Sequence, residues 1–156
     1  MATVTMTLKH FLGATPETSA PIVQIEIGQS TGTGIGATAD TNYMDWEARP
    51  AEDHIFGKTN GKSRIVGGEE VDGNVRPVLD IQTKTEDSNV AKFLRGEIGA
   101  DLNPGEGFLV EKPAKEYPGV NGENGIWIHA VAESPSSGWL AEQVLPSPRP
   151  LCQAVF

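Results

Sequence analysis

An all-β fold, a β-sandwich or a jelly-roll or barrel-like arrangement with one short helix, is what this sequence predicts. Three observations carry that reading. Apolar and polar residues alternate with period two in several short stretches. Turn residues interrupt the chain about every ten positions, drawn from 18 Gly and 11 Pro in 156 residues. A helical spacing of apolar residues occurs in one short stretch alone.

The first alternation begins at once. Ala2, Val4, Met6 and Leu8 are apolar, while Thr3, Thr5, Thr7 and Lys9 are polar. Period two gives a strand one dry and one wet face, and β-branched Thr favours the extended chain. A strand over 2–9 follows, then a loop over 10–20 marked by Gly13 and Pro16. In 22–27, Val23, Ile25 and Ile27 oppose Gln24 and Glu26, a second strand. The Gly/Thr-rich stretch 28–41 reads as a long loop or extended arm. A short strand over 43–49 places Met44, Trp46 and Ala48 on one face and ends at Pro50. Ile55 and Phe56 lead into a hairpin turning at Lys58-Thr59-Asn60-Gly61, because Asn-Gly accepts positive φ at both positions. Gly67-Gly68 and Asp72-Gly73 mark further turns. A strand over 78–85 sets Leu79, Ile81 and Thr83 on one face.

The helix is predicted near 88–95. Val90, Phe93 and Leu94 form the one-sided stripe, Asp87 or Ser88 caps its free N–H groups, and Gly96 ends it in a left-handed conformation. It is too short to stand on its own propensity and needs packing. Asn103-Pro104-Gly105-Glu106 suits a type II turn. A strand from 107 to 110 and a Gly/Pro/Asn-rich loop over 112–125 follow. In 126–133 both faces carry large apolar groups, so this strand is central to its sheet. Residues 139–145 form a further strand or one helical turn. The chain thus divides into a single β domain, 1–145, and a tail, 146–156. In the tail, Pro146, Pro148 and Pro150 favour a stiff polyproline II spacer. The apolar ending beyond it either adds a strand to another sheet or folds back onto its own domain.

Charge and composition narrow the function. Lys and Arg number 12 against 21 Asp and Glu, a net charge of −9. That sign repels nucleic-acid phosphates and anionic membranes. No apolar run exceeds three residues, too short for a spanning helix. The first residues lack the basic and apolar regions of a secretory signal, so secretion is not expected. Cys152 stands alone, which excludes an internal disulfide.

Motifs that carry chemistry are present only in part. Gly32-Thr33-Gly34-Ile35-Gly36-Ala37 fits a dinucleotide fingerprint, but no helical stripe follows to present free N–H groups to a pyrophosphate. Gly57-Lys58-Thr59 and Gly61-Lys62-Ser63 resemble the end of a phosphate-binding loop; Glu52 and Phe56 stand where its first Gly belongs. Both are read as turn residues. His129 and Glu133 share one face of a strand and are expected to form a hydrogen-bonded pair. The metal set they partly resemble, the first motif of cupins, lacks its other histidines, with Trp127 in place of one. Asp53 and His54 are neighbours and point to opposite faces. Cys152 lies in the tail, away from any base. The acidic loops at Asp72-Gly73-Asn74 and Asn121-Gly122-Glu123-Asn124 do not follow a calcium-loop pattern. No catalytic residue, cofactor or metal is therefore expected.

In size, acidity, strand density and extended termini, the chain resembles the capsid decoration (cement) proteins of tailed bacteriophages. That resemblance implies a non-enzymatic virion protein on the outer capsid surface. It would form a homotrimer and bind the major capsid protein. The contact residues would be Val4, Met6, Leu8, Phe11 and Leu12 near the start, with Leu151, Val155 and Phe156 in the tail. Two other classes remain open. A carbohydrate- or receptor-binding module would use Trp46, Trp127 or Trp139 as stacking platforms. A small β-barrel enzyme would depend on His129 or Glu133.

Overall fold

The computed structural model describes residues 4–14, 21–31, 38–53, 57–99, 101–104, 110–111, 117–118, 124–146 and 152–154. They are mostly strand, with one short helix, and every strand pairing is antiparallel. The fold is all-β. In chain order the strands are β1 (Val4–Ala14), β2 (Pro21–Thr31), β3 (Thr38–Tyr43), β4 (Arg49–Asp53), β5 (Gly57–Val66), β6 (Gly68–Val71) and β7 (Asn74–Pro77). Helix α1 (Ser88–Leu94) follows, then β8 (Val110–Glu111), β9 (Tyr117–Pro118), β10 (Asn124–Gly125), β11 (Trp127–Glu133), β12 (Leu140–Pro146) and β13 (Cys152–Ala154).

Two sheets have four strands each. One runs β13-β1-β2-β3, the other β12-β11-β5-β4. A three-stranded sheet, β6-β7-β8, and the pair β10-β9 complete the set. Among the described residues no helix is long and apolar enough to cross a membrane.

The N-terminal strand is longer than its alternation indicates. It covers Val4–Ala14, so 10–14 is strand and not loop, because β2 pairs with β1 along its whole length, from Val4↔Thr31 to Ala14↔Pro21. Pro21 is tolerated as the first residue of its strand. Part of the expected 28–41 loop is also strand, shared between the end of β2 and β3.

Three further expectations change; at Pro50 and at Asn60-Gly61, ladder partners outweigh local turn signals. Residues 44–48 leave the strand, which starts at Arg49, and Pro50 lies inside β4 instead of ending a strand. An edge strand accepts a proline there. Asn60-Gly61 lies within β5, between Arg49–Pro50 of β4 and Ala132–Glu133 of β11. The two Gly-Lys motifs are therefore strand and not turn residues, and the β4–β5 hairpin reverses between Asp53 and Gly57. By contrast, Asp72 (φ 51°) and Gly73 (φ 81°) do form the tight β6–β7 turn.

The core centres on β5 and β11. Ile65, Val66, Trp127 and Ile128 are all at most 1% exposed, and each such burial stabilises by about 1.5–3 kcal/mol. Strand β11 is central, flanked by β12 and β5, as its two apolar faces require. Val66 and Trp127 cluster with Val75, Leu79 and Ile126, and Ile81 and Val144 pack against them. Gly125 allows this closeness: a Cβ there would strike the Val66 carbonyl.

Residues 78–85 form no strand. They run as an extended strap over the Trp127 face, with Leu79 buried and Ile81 half-buried. Helix α1 follows with both predicted ends. Asp87 accepts the Asn89 N–H at 2.9 Å. Gly96 (φ 70°) donates to Phe93 O and Glu97 to Lys92 O, which together close the last turn.

Candidate functional site

The densest polar chemistry lies under the strap. Register sets it up: Arg64 is opposite His129, and His129 is opposite Val144. Glu142 is two residues from Val144, so it meets His129 diagonally on the same face. The side chains of His129 and Glu142 are 0% and 1% exposed, with Nε2 and Oε1 2.6 Å apart. Glu133, the expected partner of His129, is exposed and sits opposite Leu140. The His129–Glu133 pair is therefore replaced by His129–Glu142, because cross-strand diagonals lie closer than positions four apart along an extended chain.

The tautomer follows from the partners. Arg64 Nε donates to His129 Nδ1 at 3.1 Å. Nε2 must then carry the ring proton and give it to Glu142. The Glu142 carboxylate also accepts the Gln82 N–H at 2.9 Å and the Thr83 N–H at 2.8 Å. The Thr83 hydroxyl donates to it at 2.6 Å. Burial alone would push the Glu142 carboxyl up; the donors from Thr83, Gln82 and His129 outweigh it and hold the group below the usual carboxylate range. For His129, burial pushes the ring down, the hydrogen bond to Glu142 pushes it up, and the Arg64 cation pushes it down again. The net is below its ordinary value, so the imidazole is neutral near pH 7.

Trp46 closes the network from above. Its ring lies 4.9 Å from the His129 ring. Lys62 Nζ and Arg64 Cζ stand 4.3 and 4.2 Å from its centroid. Its backbone has φ 61° and its N–H bonds Ser63 O at 2.9 Å. Such a conformation persists only where surroundings fix it, and a neighbouring ion pair helps. Arg49 grips both Asp45 oxygens, at 2.8 and 2.7 Å. Burial raises Asp45, but the Arg49 bonds win and lower it.

Chemically, this arrangement is a rivet. Both ring nitrogens of His129 are engaged and the Glu142 oxygens are filled, which leaves neither group a vacant position for a substrate. A cleft of about 430 Å³ opens beside it, lined by Thr83, Asp87, Val90, Phe93, Leu94 and Leu102 among others. Glu142 reaches its wall but is already saturated. Among the described residues no group of three or more His, Cys, Asp or Glu is placed to hold a metal ion. After the glycine-rich fingerprint the chain enters β3, a strand, not the helix a pyrophosphate would need.

Neither family models, nor curated proteins, nor solved structures match this chain.

Five of the expected contact residues share one strand. Val4, Met6, Leu8, Phe11 and Leu12 all lie on β1. Leu151, Val155 and Phe156 lie outside the described residues, but the strand between them, β13, pairs with Val4, Thr5 and Met6. Of the two fates left open for the tail, its backbone takes the fold-back. Pro146 belongs to β12 and not to the tail. Beyond Met6, no strand among the described residues pairs with the outer edge of β1. Trp127 is buried and Trp46 is stacked among His129, Lys62 and Arg64, so neither offers a bare platform for a sugar ring.

Arg64, Thr83, Glu142 and Trp46 were invisible as a group in the sequence. The one signal was a charge inside an apolar stripe: Glu142 alternates with Leu140, Val144 and Pro146, as His129 does with Trp127 and Val131.

Proposed function

We propose that this chain is a virion structural protein, a decoration subunit that attaches to the major capsid protein lattice and to copies of itself. The observation that supports it is the outer edge of β1. β1 is an 11-residue strand whose inner edge is paired throughout, while among the described residues its outer edge carries only β13, over Val4–Met6. A row of unpaired N–H and C=O groups binds another chain by strand addition, with directional bonds and no deep pocket. Repetition over a lattice turns such modest contacts into a firm clamp.

Two adjacent substitutions test this. Neighbouring residues of a strand send their N–H groups to opposite edges. Of Lys9→Pro and His10→Pro, one therefore breaks the β1–β2 ladder, at a cost of about 3 kcal/mol. The other keeps native stability and removes a donor from the outer edge. That second variant is expected to lose co-sedimentation with undecorated shells of the same virus, to which the native chain binds in fixed ratio. Shells that take up neither the native chain nor any variant would refute the reading.

A further inference from the structure

We infer that β13 is an exchangeable strand: in assemblies of this protein it pairs with β1 of a second copy instead of its own. The inference concerns copies of this chain and does not rest on the capsid reading.

Three observations carry it. First, β13 is held by little. It pairs with β1 over Val4↔Ala154, Thr5↔Gln153 and Met6↔Cys152, and β1 is its principal contact. Second, the sequence that leads to it is rich in proline. Pro146 ends β12, and Pro148 and Pro150 follow at alternate positions before β13. Alternating prolines favour an extended chain, at about 3 Å per residue, over a tight reversal. Third, the acceptor is identical in every copy, so the same register forms within or between chains with the same bonds. Where the contacts are equal in both forms and the linker sequence favours an extended chain, exchange is an inexpensive route to an oligomer. Head-to-tail donation of β13 by each copy to the next closes a ring when the rotation allows it. Among the described residues, no strand covers the outer edge of β1 beyond Met6.

Met6 and Cys152 are opposite each other, which supplies the experiment. In Met6→Cys, oxidation joins residues 6 and 152 wherever β13 lies on β1. Full-length chains, light and isotopically heavy, are mixed in equal amounts, unfolded, refolded together at about 100 µM and oxidised, and the linked peptides are weighed. Exchange predicts that half of the 6–152 links join a light to a heavy peptide, within covalent oligomers. The native chain, with Cys152 alone, yields at most disulfide dimers. Links confined to chains of one label, in monomers, would overturn the inference, as would the absence of any 6–152 link. A second measurement leaves β1 untouched. Pro148→Gly with Pro150→Gly makes the linker flexible, and the molar mass by light scattering is expected to shift from a multiple of 16.6 kDa toward the monomer. A native chain that is monomeric at this concentration, or an oligomer unmoved by the glycines, would count against exchange.

Discussion

Glu142 does for the strap what a neighbouring strand does elsewhere. Residues 78–85 have strand-like alternation, yet no strand pairs with them. Their Gln82 and Thr83 N–H groups are met instead by one carboxylate. Replacing that carboxylate leaves these donors and the His129 N–H facing an amide that brings donors of its own. Glu142→Gln is expected to destabilise the fold by about 3 kcal/mol near neutral pH, read from the urea midpoint. The deficit should shrink in acid. Both groups have lowered folded values, so the unfolded chain binds more protons and stability falls as pH falls. For His129 the loss begins below its ordinary 6.5. For Glu142 it begins below 4.5 and continues through its folded value, where native and variant converge. A midpoint difference that stayed constant from pH 7 to pH 3 would contradict this account.

Among the elements, α1 shows how much local chemistry the sequence declares. Asp87 and Gly96 mark its ends because capping depends only on nearby residues. Gly96→Ala must hold an alanine at φ 70° and is expected to cost about 1–2 kcal/mol, measured by denaturation, with the other described elements unchanged by amide exchange. Asp72-Gly73 and the central strand β11 were legible for the same reason: turn geometry and two-faced burial leave marks within a few residues. Asn60-Gly61, Pro50 and 78–85 misled because their states are set by partners far along the chain. Gly61 meets Arg49 and Ala132, and Thr83 meets Glu142. The rivet was illegible because register brings His129 to Glu142, and register belongs to the sheet, not to either strand.

At the scale of the whole molecule, the proposed assembly sets charge against edge. A net charge of −9 on 156 residues keeps copies apart, while in the proposed assembly the outer edge of β1 draws them together. Screening decides between them: the reach of a charge is about 10 Å at 0.1 M salt and about 3 Å at 1 M. Molar mass by light scattering is therefore expected to rise between roughly 0.05 and 0.5 M sodium chloride. A fall over that range would mean that ion pairs, not strand edges, join the copies.

The position of Asn60-Gly61 has a chemical consequence. An asparagine before a glycine ages when the glycine nitrogen attacks the side-chain carbonyl, closes a ring and releases ammonia. That attack needs a chain free to fold back on itself. In β5, Gly61 is flanked by Arg49 on one side and Ala132 on the other, so the nitrogen is held away from its target. Asn60 is therefore expected to convert chiefly while the sheet is open, so that the extent of conversion, read by mass spectrometry, rises with the time spent open.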